Sequence, residues 1–130
     1  MIAKTTMSLS IQAVDAYFIE QYKPLLLKEG LCFCKKTKLF GCFIDNQFVG
    51  LTGILWYKTK VVFKNHFVFP ENRKQGIFAF MLDYSIARVK ETNVKIIEAH
   101  CLPASIPAYL NAGGKIIKTF KLCKKIHINL

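Results

Sequence analysis

A Val- and Phe-rich run at residues 60–69 stops at Pro70, crosses a polar stretch ending at Gly76, and passes into a long apolar-periodic segment at 77–91. Proline cannot donate to a sheet ladder, so the first piece reads as a strand that ends there. The apolar spacing of 77–91 reads as a helix, and Thr92-Asn93 ends it. A second strand follows at 94–101. Strand, helix and strand in that order form a right-handed crossover, so the two strands are expected to lie parallel and adjacent. Few architectures accommodate such a unit, and all of them are α/β sheets with helices on their faces.

The remaining elements are read around this unit. A helix is expected at 10–27, with Ser10 as its N-cap and Ile11, Val14, Phe18 and Tyr22 along one stripe. Pro24 is expected to kink that helix or end it early. Strands are expected at 39–44 and 48–57, joined as a hairpin by Asp45-Asn46. After the crossover come a short helix at 103–111, closed by Gly113-Gly114, and two strands at 115–120 and 122–129. The order is helix, three strands, helix, strand, helix, two strands. The 130 residues fit one domain, 1–130, and eleven Phe with 52% hydrophobic residues suffice for a core.

Nineteen Lys and Arg against eight Asp and Glu give a net charge of +11, and only Arg73 and Arg88 are arginine. Lysine is a hydrated point charge that suits a diffuse positive field better than bidentate base reading. Such a field favours polyanions: phosphorylated cofactors, nucleic acid, acidic proteins. A solvated Lys-rich surface without a partner fits the composition equally well. The five cysteines are an odd number without a secretory leader in residues 1–10, so reduced thiols and a cytoplasmic location are expected. Cys32, Cys34 and Cys42 lack the spacing and second ligand pair of a metal site, and none is expected. No apolar run is long enough to span a membrane.

The segment that carries chemistry is the turn into the second helix. The first N–H groups of a helix lack backbone partners and sit at the positive end of its dipole. Gly76 lets a ligand approach the backbone closely, and Arg73 and Lys74 add charge. Together these features make a cradle for a pyrophosphate.

The same residues resemble the signature of the GCN5-related N-acetyltransferases (GNAT). Val68, Pro70 and Arg73 stand at the spacing of the family's Val-x-Pro-x-x-Arg, and Gly76 follows Arg73 by three. Tyr109 and Gly113 match the Tyr and Gly of its second motif, and the resemblance covers roughly residues 8–130. It implies a mixed, mostly antiparallel sheet with a central parallel strand pair and flanking helices. It also implies acetyl-CoA as the cofactor, lying where the strands at 60–69 and 94–101 part. Backbone groups of Phe67, Val68 and Phe69 would pair with the pantetheine arm. Arg73, Lys74, Gln75, Gly76, Ile77, Phe78 and Ala79 would hold the pyrophosphate. Three residues depart from the pattern: Phe78 stands where Gly or Ala is preferred, Gly114 replaces an aromatic and so loosens the last helix, and Leu102 replaces an Asn.

The implied reaction is direct attack of an amine on the thioester in a ternary complex. Tyr109 matches the family position that often protonates the leaving thiolate, and a phenol is protonated at neutral pH. For the base, the stretch Lys64-Asn65-His66 offers His66 and no carboxylate, while Glu98 and His100 share a face of the next strand. The acceptor is an amine on a small molecule or macromolecule, and the charge extends the candidates to nucleic acid or other acidic partners. Dimerisation through the last strands is left open, and no membrane partner is expected. Two rival functions share the fold. One is a non-catalytic module that binds nucleic acid or an acidic protein. The other is a DNA-modifying enzyme resembling the Mom type.

Overall fold

The computed structural model describes residues 8–130, so most of the N-terminal stretch in which no secretory leader is expected lies outside them. The element order is β1 (Leu9–Ala13), α1 (Ala16–Lys28), β2 (Lys38–Ile44), β3 (Gln47–Trp56), β4 (Val61–Val68), α2 (Ile77–Lys90), β5 (Ile96–Cys101), α3 (Ile106–Asn111), β6 (Gly114–Thr119) and β7 (Lys124–Asn129). The seven strands form one sheet in the order β1-β2-β3-β4-β5-β7-β6. The β4–β5 pair is parallel and every other pair is antiparallel, as the crossover requires.

Two expectations at the N-terminus are corrected. Residues 9–13 form a strand, and Ser10 lies inside it rather than capping a helix. Leu9 and Ile11 alternate with Ser10 and Gln12, a period of two that the three-residue step from Ile11 to Val14 disguised. The helix starts at Ala16, because Asp15 supplies the cap: its carboxylate accepts from the Phe18 N–H at 2.8 Å. Pro24 does not end this helix, which runs on to Lys28. An interior proline costs about 3 kcal/mol, but Ile19 and Leu26, two turns apart, are both buried and hold both halves of α1 on the sheet.

The sheet is covered on both faces. On one side α1 packs Ile19 and Leu26 onto Phe43, Phe48, Leu51, Phe67 and Phe69. On the other, α2 and α3 bring Leu82, Ile86, Val89 and Tyr109 onto Val61, Phe63, Ile97, Ala99 and Ile126. Asp45 and Asn46 both have positive φ (48° and 71°), which gives the β2–β3 hairpin the twist that two-residue turns need. No described helix is long and apolar enough to cross a membrane.

Gly114 opens β6 rather than capping α3. The expected loosening of the last helix is also corrected. A Cβ there would lie 2.6 Å from both the Tyr109 carbonyl oxygen and Ile126 Cγ2, so the bare backbone lets α3 pack closely over β6 and β7.

Candidate functional site

One extra residue in β4 shapes the site. The β3–β4 register shifts between Leu51 and Gly53, and Asn65 takes φ 57°, so Asn65 and His66 together oppose Thr52. Gly53 permits this: a Cβ on it would lie 2.7 Å from the Lys64 carbonyl oxygen. Before the bulge, Val61 and Phe63 face α2; after it, Val68 does so, and Phe67 and Phe69 face α1. Simple alternation along residues 60–69 could not give this arrangement.

The bulge also re-aims the backbone. Phe69 donates its N–H to the Val49 carbonyl at 3.0 Å, so by alternation Phe67 and Phe69 bond to β3, and Val68 turns its N–H and C=O outward. Of the three residues expected to present their backbone to a ligand, Val68 alone has its N–H turned away from β3, while Phe67 and Phe69 are committed to the sheet. The parallel pairing of β4 with β5 ends at Phe63–Ala99. Beyond that point the strands part and leave a cavity of about 420 Å³. Its walls include Lys64, Asn65, His66 and Phe67 from β4, His100 and Cys101 from β5, and Phe78, Ser105 and Tyr109 from the helical side. Glu29 to Cys32, after α1, close its other end.

At the mouth of this parting stands the N-terminus of α2. Gly76 is its N-cap at φ 79°, with no side-chain cap and no acidic residue in the first turn. The Phe80 N–H bonds to the Gly76 carbonyl, and among the described residues no backbone acceptor takes the N–H groups of Ile77, Phe78 or Ala79. Lys74 also has positive φ (63°). Arg73 is partly engaged: its Nε donates to the Val68 carbonyl at 2.9 Å, and its guanidinium lies 5.4 Å from the Phe67 ring centroid. It locks the turn onto β4 while its outer nitrogens stay exposed.

The acid and base candidates separate in the structure. Tyr109 lines the cavity and is 3% exposed; burial, and secondarily Cys101, push its phenol above the usual range. It therefore stays protonated at any ordinary pH. His66 lies against Phe78, with ring centroids 4.4 Å apart. Its Nε2 is 3.4 Å from the Phe78 carbonyl and its Nδ1 is 3.1 Å from Thr52 Oγ1. A carbonyl can only accept, so Nε2 carries the hydrogen and Nδ1 accepts from Thr52. Nε2 thus ties the bulge to α2, and Nδ1 ties it to β3. Glu98 is 7% exposed and does not line the cavity. Its carboxylate takes Lys60 Nζ at 3.3 Å and His127 Nε2 at 3.0 Å. Burial pushes its pKa upward, but the bonds from His127 and Lys60 outweigh this and hold it below its ordinary value. Of the Glu98–His100 pair, only His100 reaches the cavity. Among the described residues no group of three or more His, Cys, Asp and Glu side chains is placed to hold a metal ion.

His66 makes a stability prediction. Burial, against the bond to Phe78, pushes its pKa from 6.5 down to about 4. A depressed pKa means that the folded state binds the proton less readily than the unfolded one. This contribution is full above pH 6.5 and is lost as pH falls from there toward 4. At pH 5 the loss should be about 1–2 kcal/mol. Urea unfolding of wild type and His66→Gln at a series of pH values checks this. The variant curve should be flatter between pH 6.5 and 5; parallel curves would refute the assignment. The Glu98 contribution falls in a separate window, below the ordinary carboxylate pKa.

By sequence, no protein-family model and no characterised relative matches this chain. By structure, it superposes on a Bacillus subtilis acetyltransferase in complex with CoA, with a TM-score of 0.76 and 18% identity over 95% of this chain and 99% of that one. This is the GNAT fold. A GNAT-family acetyltransferase from Elizabethkingia anophelis with acetyl-CoA bound gives a TM-score of 0.69 at 15% identity, covering 94% of this chain and 98% of that one. The PaiA N-acetyltransferase of Thermoplasma acidophilum in complex with coenzyme A gives 0.73 at 13% identity, covering 95% and 100%. The parted parallel pair and the open α2 N-terminus that the family resemblance implies are both present here. Two features were missed from sequence. The bulge had one weak signal, the polar Lys64-Asn65-His66 interrupting an apolar strand. The closure of the cavity by Glu29 to Cys32 had none, since it depends on where α1 docks.

Proposed function

We propose that this chain is an acetyl-CoA-dependent N-acetyltransferase that acts by direct attack of an amine in a ternary complex. The observation that carries the reading is the parting of β4 and β5 beyond Phe63–Ala99 beside a helix N-terminus with uncommitted N–H groups. Acetyl-CoA, when bound, supplies a thioester carbonyl to the amine and a thiolate leaving group. The N–H groups of Ile77, Phe78 and Ala79, with Lys74 and Gln75 in the turn before them, hold the pyrophosphate. Gly76 keeps that approach clear, since it carries no side chain and no other atom lies within 4 Å of where a Cβ would stand. The outward N–H of Val68 receives the pantetheine arm, and Arg73 fixes the strand that presents it. Tyr109 donates a proton to the departing sulfur. His100, exposed at the cavity wall, accepts the amine proton directly or through water, whereas His66 and Glu98 serve structure.

Thermal unfolding with acetyl-CoA, free CoA and ATP tests this reading. Acetyl-CoA at a hundredfold its Kd should stabilise the fold by about 2.7 kcal/mol, several degrees in Tm. ATP at the same concentration should do much less. A specific observation favours a second reading, a non-catalytic module of the same fold: Phe78 packs its ring between His66 and Tyr109, at 4.4 and 6.2 Å, and so narrows the cavity. A shift with a short DNA duplex and none with any CoA species would select that reading.

A further inference from the structure

The strand registers place four basic side chains in one row across the sheet face that α1 leaves open. His100 on β5 pairs with Lys125 on β7, and Lys125 pairs with Lys118 on β6. On the other side, Val62 pairs with Glu98, so Lys64 stands beside His100 where the strands part. All four project to the same face, because their neighbours Ile126, Ala99 and Phe63 fill the core on the opposite face. Side-chain contacts agree: Phe120 lies 6.1 Å from the His100 ring, and Lys118 Nζ lies 5.1 Å from the Phe120 ring. At ~4.8 Å per strand the row is about 14 Å long. It begins in the cavity, which Lys64 and His100 line, and runs to the edge strand. Glu98, two residues before His100 on β5, is already paired with Lys60 and hydrogen-bonded to His127, and Glu29 stands at the far end of the cavity.

We propose that this row binds the acceptor, and that the acceptor is an acidic peptide segment with its primary amine at the cavity end. The inference rests on reading the cavity as the place of acetyl transfer. The row is longer than a small amino acid and matches about four extended residues at ~3.4 Å each. Lys64, Lys125 and Lys118 form no salt bridge among the described residues, so the row's complement is a run of Asp or Glu. A peptide suits the chemistry better than a nucleic acid, because the lone pairs of nucleobase amines are delocalised into the ring and attack poorly. The row also assists the reaction: cations beside an incoming ammonium favour its neutral, nucleophilic form.

The test measures anisotropy of three labelled probes: Lys followed by four Glu, Lys followed by four Ser, and a single-stranded oligonucleotide of matched charge. The proteins are wild type and Lys118→Glu/Lys125→Glu, each checked separately for the acetyl-CoA thermal shift. The acidic peptide should bind about tenfold tighter than the neutral one, weaken as salt rises, and lose that advantage in the double variant. If the double variant does not fold, the exposed Lys118→Glu alone should show part of the loss. Equal affinity for both peptides, an advantage that survives the charge reversals, or tighter binding of the oligonucleotide would overturn the proposal. Loss of the acetyl-CoA shift in wild type with the peptide preference intact would instead refute the transfer reading and leave this surface standing.

Discussion

Gly76→Val should leave the protein folded and abolish its stabilisation by acetyl-CoA. Gly76 sits at φ 79°, a conformation that a β-branched residue adopts at a cost of about 1–2 kcal/mol. That cost is local, because a Cβ at this position meets nothing within 4 Å in the free protein. The larger effect falls on the ligand. The Val side chain would stand where the pyrophosphate must approach the N–H groups of Ile77 to Ala79, and the distorted cap would turn those groups away. Most of the ~2.7 kcal/mol that saturating acetyl-CoA adds to wild type should vanish. Circular dichroism separates this result from unfolding. A folded variant with a full acetyl-CoA shift would remove the pyrophosphate from this turn.

Tyr109→Phe should lower kcat about a hundredfold with little change in the KM for acetyl-CoA. The ring packs at 6.2 Å from both His66 and Phe78, and a Phe ring keeps those contacts. Stability should therefore change by well under the ~3–5 kcal/mol that removing a buried aromatic side chain costs. The loss appears in kcat because the phenol acts on the departing sulfur rather than on bound substrate. A wild-type kcat in this variant would remove Tyr109 as the acid and point to solvent instead.

Much of this arrangement was legible in the chain before folding. The run from Val68 through Pro70 to Gly76 fixes a strand, a turn and a helix start, and the crossover to residues 96–101 follows from chirality alone. The signals were local, so they survived in the sequence. What escaped depends on long-range pairing. Ser10 looked like a cap because Asp15, five residues on, could not be ranked above it without knowing that residues 9–13 pair with β2. His66 looked like a base because its ring has the right intrinsic pKa; only the bulge at Asn65 commits both nitrogens to Thr52 and Phe78. Glu98 looked available because Lys60 and His127 lie 38 and 29 residues away along the chain. The basic row is invisible in sequence for the same reason, since Lys64, His100, Lys125 and Lys118 meet only through strand order.

The most direct measurement follows backbone amide signals during a titration with acetyl-CoA. Acetyl-CoA binding at the parted strands should give saturable shifts at Val68, Ile77, Phe78 and Ala79 that fit one Kd, with much smaller changes along β1 and β2. Acetyl-CoA that bound without moving Val68 and the α2 N-terminus, or moved only the lysines of β6 and β7, would contradict it.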